Sequence, residues 1–208
     1  IASRKHLAKV SPLLEDALEE ADVELNDIDL VAATYGPGLV GPLLVGLSMG
    51  KAIAYGLDVP FIGVNHLEAH IFAQYISEES DVPFVALLVS GGHTNLVHVK
   101  GWGNYRNLGG TRDDAAGEAF DKVGFMNNLG YPAGPKIDEI SSEGNPKAFD
   151  FPRPMINEGL DFSFSGLKTA VFREVKKDKQ IPLPDLLASF QQAVVDTLVE
   201  KTIRAAKK

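Results

Sequence analysis

The chain has 208 residues, 45% of them hydrophobic and 23% charged, a balance that suits one large domain or two small lobes. It contains no cysteine, which excludes a disulfide framework and thiolate chemistry and leaves His, carboxylate or water as metal ligands. The formal net charge of -8 falls entirely in residues 1–80 (4 Lys/Arg against 12 Asp/Glu), while residues 81–208 carry 16 of each, and an acidic total argues against autonomous nucleic-acid binding.

Ile1-Ala2-Ser3-Arg4 lacks the basic segment and apolar core of a signal peptide. No apolar run reaches the roughly 20 residues of a membrane span, so a soluble, cytoplasmic protein without a membrane partner is expected. Leu7, Val10, Leu14 and Leu18 recur at helical spacing and predict a helix over 2–20. Residues 28–34 predict a strand, Gly36-Pro37-Gly38 to Gly41 a loop, and 42–56 a helix whose Gly46, Ser48 and Gly50 permit close packing. A buried strand over 60–65 and a helix over 66–77 follow, so residues 1–80 read as a first α-β-α-β-α lobe with parallel strands.

After the polar stretch Ser77-Glu78-Glu79-Ser80-Asp81 the pattern changes. Residues 83–89 and 94–99 predict a β-hairpin around Ser90-Gly91-Gly92-His93. Helices are predicted over 114–127, 166–176 and 185–207, with a Gly/Pro/Ser-rich stretch of loop and short helices over 130–165. Residues 81–208 thus form a second, mixed α/β lobe. The chain starts inside a helix without Met and stops inside one at Ala205-Ala206-Lys207-Lys208, where a parallel sheet would receive a further strand; a fragment lacking both ends of a longer protein is expected.

Five constellations can carry chemistry. His66 and His70 lie at i and i+4 on one helix face, where both imidazoles can reach one metal ion, although two exposed helix histidines fit the pattern as well. Glu68 is roughly 200° around the helix from His66, so the zinc-protease arrangement of His-Glu-x-x-His is excluded. In Leu88-Val89-Ser90-Gly91-Gly92-His93-Thr94 the bare glycines let backbone N–H groups approach a phosphate or carboxylate, with Ser90, His93 and Thr94 as further donors; turn geometry is the plain alternative. Asp114 is a candidate helix cap, and Glu118 and Asp121 share a face that could meet Mg²⁺, ribose hydroxyls or an amine. Gly130-Tyr131-Pro132-Ala133-Gly134-Pro135 ahead of Asp138 suits a nucleoside wall or an ordinary turn. Asp161-Phe162-Ser163-Phe164-Ser165 reads as a packed loop with Ser165 as helix cap. Arg173, Lys176, Lys177, Lys179, Lys201, Arg204, Lys207 and Lys208 are the cations available to an RNA surface, or to a solvated helix face.

In order and spacing these stretches resemble the TsaD family of actin-like (ASKHA) two-lobe α/β proteins. The matching segments are ASRKHL (2–7), YGPGLVGPLLVG (35–46), NHLEAH (65–70), ALLVSGGHTNL (86–96), DDAAGEAFDKV (113–123), GYPAGP (130–135), FPRPM (151–155), DFSFSGLKT (161–169) and ASFQQAVVDTLVEKT (188–202), collinear over essentially the whole chain. The resemblance implies transfer of a threonylcarbamoyl group from threonylcarbamoyl-AMP to N6 of the adenosine beside the anticodon in tRNAs reading ANN codons. It implies one divalent metal ion per subunit, iron or zinc, held by His66 and His70 with a later Asp. It implies a nucleotide ligand (threonylcarbamoyl-AMP, or ATP/ADP) at Leu88, Val89, Ser90, Gly91, Gly92, Asp121, Gly134 and Asp138. Partners implied are tRNA, a TsaB-like paralogue and a TsaE-like ATPase, and the loops resemble bacterial members.

Where the family has an N-terminal strand hairpin, a C-terminal glycine-rich segment, a later Asn and the third metal ligand, this sequence has no counterpart. Gly110 stands where a Glu is common, and Ala133 where a Gly is usual. The chain alone is therefore expected to bind metal weakly and to lack transferase activity; no general base is visible. A related O-carbamoyltransferase and a non-catalytic TsaB-like scaffold are the alternatives, the second opposed by the intact His66/His70 pair.

Overall fold

The computed structural model describes residues 2–77, 81–177 and 180–208. The chain divides into two compact units, Ile1–Glu79 and Ser80–Lys208, each described by itself. The polar stretch expected to separate two lobes lies partly on residues 78–80, outside the described residues.

In the first unit α1 (Ala2–Ala21) is followed by a 3-10 turn (Leu25–Asp27), β1 (Val31–Gly36), α2 (Val40–Leu57), β2 (Phe61–Asn65) and α3 (His66–Ser77). β1 and β2 pair in parallel, Val31 opposite Phe61, with the helix α2 as the crossover. Gly50 lets α2 lie directly on the sheet: a Cβ there would stand 3.3 Å from that of Ala33 and 3.2 Å from the Phe61 ring. By length and composition α2 is sufficient to cross a bilayer, against the expectation that no segment is; it packs on β1 and α1.

In the second unit β3 (Phe84–Val89), β4 (Thr94–Gly101) and β5 (Asn104–Gly110) form an antiparallel sheet in that order. Among the described residues four helices follow: α4 (Ala116–Met126), α5 (Gly134–Ser141), α6 (Ser165–Lys177) and α7 (Leu183–Ala206). Leu96 of β4, Val123 of α4, Ile137 of α5, Leu167 and Val171 of α6 and Phe190 of α7 meet in one core with Phe162 and Phe164, all without solvent exposure. The protein is thus α/β.

β5 was not anticipated, and β1 starts three residues later than its predicted start at Ile28. For β5 the reason lies in the register: two irregularities in the β4–β5 ladder break the alternation that marks a strand. Gly109 is required by a crossing segment, since a Cβ there would stand 2.4 Å from the Leu160 carbonyl oxygen.

Candidate functional site

Asn65 ends β2 and caps α3: its Oδ1 accepts the N–H groups of Leu67 (2.9 Å) and Glu68 (3.3 Å). This cap starts the helix at His66 and puts His70 one turn on, their ring centroids 4.4 Å apart at 70°. Two imidazoles at that separation suit one zinc or iron ion, and Glu68 is exposed on another part of the helix. Among the described residues no group of three His, Cys, Asp or Glu side chains is close enough to hold a metal ion.

In the second unit Ser90–His93 joins β3 to β4. Ser90 N–H donates to the His93 carbonyl (2.8 Å), and Ser90 Oγ accepts from the N–H groups of Gly92 (3.3 Å) and His93 (3.0 Å). These two N–H groups are thereby engaged by the turn itself. Neither Gly91 nor Gly92 has a positive φ, and a Cβ at either would meet nothing within 4 Å. Turn geometry therefore does not demand glycine here; the bare backbone leaves open space that a ligand can approach. Thr94 is not a ligand donor: it is buried, and its Oγ1 accepts the Ala116 N–H (2.9 Å) at the start of α4.

Asp114 does not cap α4, whose N-cap is Ala115. Its buried carboxylate accepts from Lys122 Nζ (2.6 Å), Lys168 Nζ (2.7 Å) and Ser165 Oγ (3.2 Å). Nor does Ser165 cap α6: Asp113 does so, accepting the N–H groups of Phe164 (2.9 Å) and Ser165 (3.2 Å) and the Ser163 hydroxyl (2.5 Å). Burial pushes both carboxyls up; the Ser163 and backbone hydrogen bonds at Asp113, and Lys122 and Lys168 at Asp114, outweigh it and hold both below the ordinary 3.8. Their contribution to stability is present in full above that value and is lost as pH falls through the lower folded values. Melting temperature should therefore fall as pH is lowered through and below 3.8, and a D113N/D114N variant, less stable at neutral pH, should show a flatter acid slope. An unchanged slope in that variant would contradict the assignment.

Glu118, Asp121 and Lys122 of α4 line a cavity of about 350 Å³ with Gly91, Phe125, Met126 and Tyr131. Glu118 carries an ion pair to Lys122 (2.7 Å), and Asp121 Oδ1 accepts the Ala133 N–H (2.9 Å), which fastens the turn before α5. Ala133 is buried over Gly124, which has no room for a side chain of its own. Gly134 opens α5 with nothing within 4 Å of a Cβ. Asp138 is exposed on α5 and accepts from Gln191 Nε2 (2.8 Å); the buried Gln191 Oε1 has no partner among the described residues.

Of the anticipated residues the cavity unites Gly91 and Asp121; Leu88, Val89, Ser90 and Gly92 lie on or beside the same hairpin, while Gly134 and Asp138 lie on α5 outside its lining. His66 and His70 belong to the other unit. Sequence reasoning missed Lys122 and Lys168, whose shared carboxylate no local pattern announces. Lys201 is not part of an RNA surface: it is fully buried in α7, its amine on the carbonyls of Glu158 (2.8 Å) and Gly159 (3.4 Å), and burial pulls its pKa down. Lys177 and Arg204 are paired with Glu174 and Glu200, and Lys179 lies outside the described residues.

The chain is thus an α/β protein with a histidine pair at the start of α3 in the first unit and, in the second, a bare glycine turn beside a cavity lined by Glu118, Asp121 and Lys122. The family model described as "TsaD: tRNA N6-adenosine threonylcarbamoyltransferase" matches residues 1–208. Proteins named tRNA N6-adenosine threonylcarbamoyltransferase from Syntrophotalea carbinolica and Clostridioides difficile are 54% and 52% identical, covering all of this chain and 62% and 63% of their own length. The chain belongs to this TsaD family, and it spans just under two thirds of the length of those relatives. YeaZ from Pseudomonas aeruginosa is similar at a TM-score of 0.38 and 22% identity over 49% of this chain and 48% of that one, too distant a likeness to carry an argument.

Proposed function

We propose that this chain is the central part of an enzyme that transfers the threonylcarbamoyl group from threonylcarbamoyl-AMP to N6 of the adenosine beside the anticodon in tRNAs reading ANN codons. The supporting observation is the family match over residues 1–208, with relatives of that name at 52–54% identity. The reading includes a two-lobe ASKHA architecture, a cytoplasmic location, and work with a TsaB-like paralogue and a TsaE-like ATPase.

His66 and His70 would hold one iron or zinc ion, which when bound supplies Lewis-acid chemistry. The residues of the second unit receive the adenylate. The open backbone at Gly91 and Gly92 admits the phosphate, and the free acceptor capacity of Asp121 and Asp138 suits ribose hydroxyls. Departure of AMP makes a strong nucleophile unnecessary; the N6 amine needs orientation and the leaving group needs charge stabilisation.

The full-length protein, given threonylcarbamoyl-AMP and an unmodified ANN-reading tRNA, should yield the modified adenosine, and its metal content should fall in His66→Ala and His70→Ala. Absence of product from metal-replete protein supplied with its paralogue would overturn the transfer. Unchanged metal content in both variants would overturn the assignment of the histidines.

A further inference from the structure

The connection between β5 and α4, Thr111-Arg112-Asp113-Asp114-Ala115, is fastened more densely than a loop of its length requires. Thr111 N–H donates to the Thr94 carbonyl (2.9 Å), Arg112 N–H to the Phe162 carbonyl (2.9 Å), and Thr111 Oγ1 to the Asp114 carbonyl (2.6 Å). Asp113 reaches 51 residues along the chain to cap α6 at Phe164. Asp114 binds Lys122 of α4 through Oδ1 and Lys168 of α6 through Oδ2. One buried carboxylate therefore couples two helices.

The helix it holds is the one that touches the glycine turn. Gly117, in the first turn of α4, donates its N–H to the Ser90 carbonyl (3.2 Å). A Cβ at Gly117 would lie 2.6 Å from that oxygen and 2.9 Å from Gly91 Cα, so backbone rests on backbone without an intervening side chain. A rigid contact of this kind transmits displacement, whereas a side chain would absorb it by changing rotamer. The same ammonium that Asp114 holds, Lys122, is shared with Glu118, and both line the cavity with Gly91 and Asp121.

We propose that Asp114 is a positioning residue: by tying Lys122 of α4 to Lys168 of α6 it fixes the start of α4, and through Gly117 it sets the Ser90–Gly92 turn that receives the adenylate. Without the carboxylate the ammonium groups of Lys122 and Lys168 are left beside each other with no shared partner, α4 loses its anchor to α6, and Lys122 keeps only Glu118 at the cavity. This deepens the transfer reading above, and its structural arm stands without that reading.

The test uses the full-length protein with D114N, D114E and, should D114N fail to fold, K168M. Two quantities are read: affinity for adenosine 5′-monophosphate by calorimetry, and hydrogen exchange of the amides of residues 90–94 against those of β4 and α7. The expected result for D114N is an AMP affinity lower by about tenfold, on the scale of losing a supporting contact behind a ligand site. Exchange should quicken at residues 90–94 while β4 and α7 keep their protection, with partial recovery in D114E. K168M should reproduce the local change. Unchanged exchange at the turn in D114N or K168M overturns the proposal, as does a uniform rise across the unit. If wild-type protein does not bind AMP, the exchange arm still decides the positioning role, and the adenylate reading alone falls.

Discussion

Replacement of Gly117 by alanine in the full-length protein is expected to lower kcat/KM for the proposed transfer by about 100-fold, the scale on which a displacement near 1 Å acts on a reacting geometry. The added methyl would stand 2.6 Å from the Ser90 carbonyl oxygen, 2.8 Å from its carbon and 2.9 Å from Gly91 Cα. All three are backbone atoms, so no rotamer change relieves the contact and the turn must move away from α4. Helix propensity alone favours alanine over glycine by about 1 kcal/mol, so a gain in activity or stability would show that the contact yields at little cost. Gly56→Ala is the control: it lies in α2 with nothing within 4 Å of a Cβ, and should be neutral or slightly stabilising. Steady-state kinetics of both variants, with unfolding curves alongside, separates the two effects.

Phe190→Ala is expected to destabilise the protein by about 3–5 kcal/mol in denaturant unfolding, among the larger penalties for emptying a core site. Phe190 has no solvent exposure and stands edge-to-face on Phe120, ring centroids 4.9 Å apart at 60°. It joins α7 to α4, so the cavity left behind opens beneath the helix that carries Glu118, Asp121 and Lys122. Phe125 is on the same helix α4 yet 82% exposed, and Phe125→Ala should change stability by no more than about 0.5 kcal/mol. Similar penalties for the two would mean that the second unit is not built around the core described above.

The contrast between buried Phe190 and exposed Phe125 shows how far local pattern reaches. The helices predicted over 2–20, 42–56, 66–77, 114–127, 166–176 and 185–207 match α1, α2, α3, α4, α6 and α7 to within two residues at each end, because helix formation depends chiefly on neighbours along the chain. The histidine pair was legible for the same reason: i and i+4 on a helix fix its geometry, and the two ring centroids stand 4.4 Å apart. Residues that act across long separations escaped. β5 was hidden by register breaks and by a glycine that serves a crossing segment. Asp114 looked like a cap because Asp before a helix usually is one, yet Thr94, 22 residues earlier, meets that N-terminus and leaves the carboxylate to two lysines. Lys201 looked like surface charge, since nothing near it in sequence shows that the carbonyls of Glu158 and Gly159 wait for an amine inside the core.

By itself, then, the sequence determined the family, the α/β class and the order of the helices, all carried by motifs and by spacing over a few residues. Only the tertiary structure decided what each charged group does. A carboxylate or ammonium takes its role from partners about 3 Å away, and in this chain those partners stand up to 54 residues apart.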